Sequence, residues 1–302
     1  MTSVYGEIAA LLTSVCWAFN SVVFTRAGKR VGAVTVNYMR LWIAVPALLL
    51  IHWLLFATPF PFAIEPSRFL YLAISGLIGF VIGDTMLFES FLLIGPRLAM
   101  LLSLLVPVFS AILAWVLLGE NLLVMEIVSI LVTIGGIAWV VAEKRAPVDA
   151  FASRESRKYR LGILLAVGGA AGQAVGLLFS KRGLVGGYSA ISATLVRVSA
   201  SALALAVLSL FRGKIHAHLA KMKDKKALLE ITAGALTGPA LGVVLSLVAI
   251  AHASIGVAST LMSLSPVILL PVSYFLFKEK ITPRAIIGTM IALLGVVLIF
   301  IN

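Results

Sequence analysis

The sequence predicts an all-α polytopic membrane protein: ten transmembrane helices arranged as two inverted five-helix repeats. Three observations carry that expectation. The 302 residues are 61% hydrophobic and only 12% charged, with a mean hydropathy of +1.12, whereas a soluble domain is roughly 25% charged. Ten apolar runs follow one another with short connections, most of them near the roughly 20 residues that cross a hydrocarbon core as helix. The two halves of the chain repeat each other at a fixed offset. Ten spans use about 200 residues, which leaves almost nothing for a soluble domain. A globular cytoplasmic enzyme, a secreted protein and a disordered chain are excluded.

The expected spans are 5–24, 34–56, 69–88, 98–118, 122–141, 161–179, 190–211, 227–250, 255–277 and 285–301. A transmembrane barrel would show short alternating segments instead. The first six residues hold no Lys or Arg, and Glu7 stands where a basic leader region would be, so the first span is expected to remain in the mature protein. The two longest connections, 143–160 and 212–226, are basic. The former is expected to link a first repeat, 1–142, to a second, 161–302.

Of the 24 Lys and Arg residues, 19 fall on one side of these spans, three on the other, and Arg40 and Arg197 lie inside. The rich side is therefore placed in the cytoplasm and both termini outside, in an inner membrane. The net charge of +12 reads as basic loops beside anionic lipid rather than as a nucleic-acid surface. Segment 216–226 could lie on the anionic leaflet or be a solvated loop. The lone Cys16 excludes an intramolecular disulfide and a cysteine-built metal site. No GxxxxGK[ST], HExxH or GxSxG is present, so neither an enzyme nor a cofactor is expected. His216-Ala217-His218 is too thin for a metal site.

Leu105-Val106-Pro107-Val108 in the fourth span recurs as Leu264-Ser265-Pro266-Val267 in the ninth, and each proline is followed 13 positions later by a glutamate, Glu120 or Glu279. The same offset of 159 carries Gly79 and Gly83 onto Gly238 and Gly242, and Gly136 onto Gly295. With a small gap, Arg40 matches Arg197. Five is odd, so the second repeat must enter the membrane upside down. That architecture suits alternating access about a midplane site; a duplication kept only for the fold is the plain alternative.

At Cys16-Trp17-Ala18-Phe19-Asn20, Arg40, Ser103-Leu104-Leu105-Val106-Pro107 with Leu118-Gly119-Glu120, Ser263-Leu264-Ser265-Pro266 with Lys278-Glu279, Gly135-Gly136 and Leu294-Gly295, the chain resembles the drug/metabolite transporter (DMT) superfamily, EamA-type. The resemblance covers nearly the whole chain. It implies ten helices, a central cavity built by spans one to four and six to nine, peripheral spans five and ten, and carriage of small metabolites, often as exporters. The sequence departs from the pattern at Gly172-Gln173, which replaces Cys16-Trp17 in the second half, and at Lys278, which replaces Gly119.

Ionisable side chains are costly in lipid and should face protein or water. Asn20, Arg40 and Asp84 each lie roughly 7 Å from their span centres on the cytoplasmic side, by helix rise. Asn37 is one turn from Arg40 and could share its face. Arg40 could bind a substrate carboxylate or pair with Asp84. Asp84 could bind an amine, carry a coupling proton, or only lock the fold. Its repeat equivalent is Val243, whereas Arg40 recurs as Arg197, which joins Trp17, Asn20, Asn37, Arg40, Asp84 and Gln173 as a candidate binding or cavity residue. Trp17 could wall a cavity or pack; Gln173 could bond a substrate or a neighbouring helix. Pro107 and Pro266 are hinge or kink candidates. The Gly-xxx-Gly series at 79–83, 168–176 and 234–242 are close-packing surfaces. Expected partners are a small-molecule metabolite, membrane lipid and, optionally, protons; a homodimer stays open. The leading function is export of amino acids or related amphipathic compounds, proton-coupled or facilitative. The rivals are an organic-anion uptake permease clamped by Arg40, and a lipid flippase or membrane scaffold.

Overall fold

The computed structural model describes residues 4–118, 123–143, 152–252, 261–278 and 281–300. It is all-helical there. Helix α1 (Val4–Val31) and α2 (Ala33–Phe56) are joined by Gly32 alone, whose φ of +86° is a conformation that glycine adopts without a Cβ clash. Helix α3 (Pro66–Ile94) begins on a proline in its first turn. Gly95, at φ +82°, turns the chain into α4 (Pro96–Leu102), which stops before α5 (Leu105–Leu118). Helices α6 (Val124–Val141), α7 (Ala152–Gly183), α8 (Ala190–Phe211) and the short α9 (Ile215–Lys221) follow. Helix α10 comprises Lys225–Ala235, Leu236–Gly242 and Val243–His252. Helices α11 (Ser265–Phe277) and α12 (Pro283–Phe300) complete the order.

Among the described residues, eight helices are long and apolar enough to cross a membrane, with α4 and α5 counted together as Pro96–Leu117, and Ser265–Phe277 and Pro283–Ile299 are shorter apolar helices. The ninth expected span starts at 255, and 255–260 lie outside the described residues, as do Glu120 and Glu279. Large apolar side chains such as Leu12, Val15, Leu54 and Phe211 cover the outer surface, as suits lipid as solvent. This is a multi-pass membrane protein.

Helices α3 and α10 are π-helical over one turn each, at Leu77–Gly83 and Leu236–Gly242. These turns are separated by the 159-residue offset of the sequence repeat. In each, an amide reaches back five residues: Asp84 N–H to the Gly79 carbonyl, and Val243 N–H to the Gly238 carbonyl. Pro239, inside the second turn, has no N–H to give an α-helical bond.

Each π turn packs on a helix of the other half through its glycines. A Cβ on Gly172 of α7 would lie 3.0 Å from Gly83 Cα, and one on Gly176 would lie 3.0 Å from Gly79 Cα. On α10, Gly238 faces Asn20 of α1 and Gly242 faces Cys16 and Trp17. Helices α2 and α8 pack through Leu41, Ala44 and Leu48 against Leu195, Val198, Ala202 and Leu205. Helices α6 and α12 approach just as closely: a Cβ on Gly136 would meet Ala292 Cα at 2.8 Å, and one on Gly295 would meet the Ser129 carbonyl at 2.8 Å.

Each of the two prolines follows an interruption of its helix. Pro107 is the third residue of α5 and Pro266 the second of α11. The helix is broken before Pro107, at Ser103–Leu104. Val106 N–H donates to the Ser103 carbonyl at 3.0 Å, replacing the bond that Pro107 cannot make. At the second site Ser265 Oγ donates to the Met262 carbonyl at 3.3 Å.

Segment 216–226 is largely exposed, but α9 is tied to α1 and α2 through a few side chains. His218 is buried, stacked on Tyr38 with centroids 4.9 Å apart, and its Nδ1 lies 3.0 Å from Thr35 Oγ1. Lys221 Nζ donates to the Val31 carbonyl at 2.7 Å, satisfying a helix end that α1 leaves open. Arg30 grips Asp224 in a fork at 2.8 and 3.0 Å.

Candidate functional site

The interior polar cluster is built on the first π turn. Because Asp84 N–H bonds Gly79, the Phe80 carbonyl loses its usual α-helical donor. Asn37 Nδ2 of α2 supplies one at 2.8 Å and also donates to Thr85 Oγ1 at 2.8 Å. Arg40, one turn further along α2, donates from Nε to Asn37 Oδ1 at 2.9 Å. Its Nη2 makes an ion pair with Asp84 Oδ2, the side chains being 9% and 8% exposed respectively. Gln173 of α7 donates to the other Asp84 oxygen at 2.8 Å. The Arg40 guanidinium lies 4.7 Å from the Phe88 ring centre. Both charges are therefore paired, and their remaining polar contacts come from two helices, α2 through Asn37 and α7 through Gln173, as buried ions require.

Arg197 of α8 meets the same turn from another side. Its guanidinium lies 4.6 Å from the Phe80 ring centre. Its Nε is buried with no hydrogen-bond partner among the described residues. Gly76 is required beside it, because a Cβ there would sit 2.6 Å from Ser201 Oγ and 3.0 Å from the Arg197 carbonyl carbon.

Asn20 does not join this cluster. Thr237 Oγ1 donates to its Oδ1 at 2.7 Å, so it belongs to the second π turn. Helix rise gives a residue's depth but not its direction, and Asn20 faces α10. Trp17 lies on the α1 face that carries Ala10, Thr13, Ser14, Ser21 and Phe24, all buried. By helical rotation that face is about 180° from Ile8 on the lipid stripe. Trp17 is nevertheless 39% exposed. Trp17 and Gln173 thus hold matching places beside Gly242 and Gly83.

The sequence reading missed Phe80, Thr85 and Thr237. Phe80 is apolar, and its role lies in a carbonyl and a ring face, which no motif marks. The two threonines sit just after and within π turns, and only the repeated glycines hinted at those. His52 is a satisfied structural residue: Nδ1 lies 2.6 Å from the Thr58 carbonyl and Nε2 lies 2.9 Å from Ser192 Oγ. Among the described residues no His, Cys, Asp and Glu group could hold a metal ion.

No curated protein matches the sequence. A solved structure described only as "Crystal structure of protein" superposes with a TM-score of 0.62, covering 97% of this chain and 96% of that one, at 14% identity. Such a likeness concerns the fold alone. The EamA-like transporter family matches residues 4–142 and again 160–301. With that match running through both halves, the chain belongs to the EamA-like transporter family and is a membrane transporter rather than an enzyme.

Proposed function

We propose that the protein carries small metabolites across the inner membrane by alternating access between two inverted five-helix repeats, 1–142 and 161–302, linked by 143–160. The observation that carries this reading is the pair of π turns at one offset, each seated by glycine on a helix of the other half. Two related bundles joined by side-chain-free surfaces can slide and rock. The basic connections are assigned to the cytoplasm and both termini to the outside.

The substrates are amino acids or related amphipathic compounds, and the direction is export. Trp17 and Gln173 line the path; Asn37, Arg40 and Asp84 form the layer that closes it. Asp84 is the coupling group. Protonating its carboxyl would end the ion pair and release Arg40 and Gln173 together, whereas Val243 stands at its place in the second half. The breaks before Pro107 and Pro266 are the hinges. Uptake and efflux in proteoliposomes, over labelled amino acids, organic acids and cationic dyes, tests the reading. Transport that follows a pH gradient, and no longer does so in Asp84→Asn, supports it. Gradient-independent transport removes the coupling role.

One observation favours a lipid path as the second reading. A groove of about 440 Å³ lies between α2 and α10, lined by Ile51, Leu54, Leu55, Leu236, Ala240, Leu241 and Val244. Its wholly apolar lining suits an acyl chain but offers a headgroup no partner. Scrambling of fluorescent lipid with no solute transport would favour this path.

A further inference from the structure

Resting on the carrier reading, we propose that Arg197 is the anchor for a substrate carboxylate, so that the carried compounds are amphipathic molecules bearing one carboxylate. Two guanidiniums, of Arg40 and Arg197, approach the Phe80 ring, at 6.0 and 4.6 Å. One carboxylate, Asp84, stands beside them, and Arg40 already holds it. Arg40 has also committed its Nε to Asn37. Arg197 has a ring face and, among the described residues, neither an ion pair nor a hydrogen bond for its Nε. The cluster therefore carries one uncompensated positive charge inside the membrane, an expensive arrangement unless an anion visits it.

The geometry also selects the kind of anion. A single surplus charge is balanced by a single negative charge; a dianion would reverse the imbalance. The planar guanidinium fork matches a planar carboxylate. Gly79 faces the fork with no side chain: a Cβ there would lie 3.7 Å from Arg197 Nη2 and 3.8 Å from Gly176 Cα. Arg197 is mostly buried and keeps a minor exposed surface. Phe80 supplies an apolar face beside the charge for the rest of the molecule. An amine cation would be repelled. This differs from an Arg40 clamp: Arg40 is occupied, whereas its repeat counterpart Arg197 makes no ion pair among the described residues.

Three probes share a six-carbon chain and differ in charge: hexanoate, L-norleucine and hexylamine. Their binding to the purified full-length protein is measured by ligand-induced thermal shift, and their flux in proteoliposomes. Hexanoate and norleucine are expected to bind the wild type and hexylamine not to. Arg197→Gln should weaken carboxylate binding at least ten-fold. Arg197→Lys, which keeps the charge and loses the fork, should weaken it several-fold, and it carries the test where Arg197→Gln does not fold. Equal binding of all three probes, no binding of either carboxylate, or undiminished carboxylate binding in the variants overturns the anchor. Flux that is indifferent to Arg197 overturns the anchor and leaves the carrier standing. Arg197-dependent binding without flux supports the anchor and overturns the carrier.

Discussion

Asn37 Nδ2 donates to the Phe80 carbonyl at 2.8 Å, so a side chain of α2 closes the backbone position that the π turn of α3 leaves open. The same amide group orients Arg40 through Oδ1. Backbone irregularity and buried charge are thus one construction, and removing Asn37 disturbs both.

Asn37→Ala is expected to leave a carbonyl and a guanidinium N–H without partners. An unsatisfied buried group costs about 1–3 kcal/mol. Thermal unfolding in detergent should show a lower midpoint than wild type. A midpoint equal to the wild type would mean that water replaces Asn37 and that the turn is not held by it.

The Arg40–Asp84 pair is open to a double-mutant cycle. Breaking a buried pair from one side costs about 3–5 kcal/mol. Arg40→Met and Asp84→Leu should each destabilise strongly, while the double variant should recover most of the loss. Additive losses would show that the two side chains do not act as a unit. Restored stability without transport would separate the pair's role in function from its role in the fold.

Glycine contacts predict opposite results at two glycines. Gly176→Ala places a methyl 3.0 Å from Gly79 Cα and from the Ser75 carbonyl, and overpacking costs about 1–3 kcal/mol. Gly135→Ala meets nothing within 4 Å and should be neutral or stabilising by up to about 1 kcal/mol, as alanine favours helix. Equal effects in the two variants would refute the close approach of α3 and α7.

The docking of α9 should depend on pH. Burial, and then the ammonium groups of Lys221 and Lys214, hold the His218 imidazole below its ordinary value of 6.5; Thr35 and Tyr38 face it from α2. A depressed value favours the neutral ring in the docked state. Docking is therefore at full strength above 6.5 and weakens as pH falls through the docked-state value. Hydrogen exchange over Ile215–Lys221 should be faster at mildly acidic pH than at neutral pH. His218→Gln should abolish the difference; a persisting difference would assign it to another group.

How much was legible in the sequence varies with the physics. Hydropathy located the spans because length and apolarity are what lipid demands, though α1 runs on to Val31 and α7 starts at Ala152, beyond the expected limits. The glycine series were readable as contact faces because only packing makes such spacing useful. The Arg40–Asp84 pairing was one of two readings left open, and the structure contains it. Asn20 was grouped by depth alone, although it bonds Thr237. The π turns were not readable, since one extra residue in a turn looks like any other. Nor was α9 readable, because His218 and Lys221 lie in a stretch whose composition suggests solvent.

The extra residue in each π turn adds bearing rather than length. Past Gly83 the side chains of α3 are rotated by about 100° from where an unbroken α-helix would aim them. A single helical wheel drawn through the whole span assigns its two ends to the wrong compass points. Substitution scans of α3 and α10 need two wheels each, one on either side of the turn, before any position is described as facing lipid or lumen.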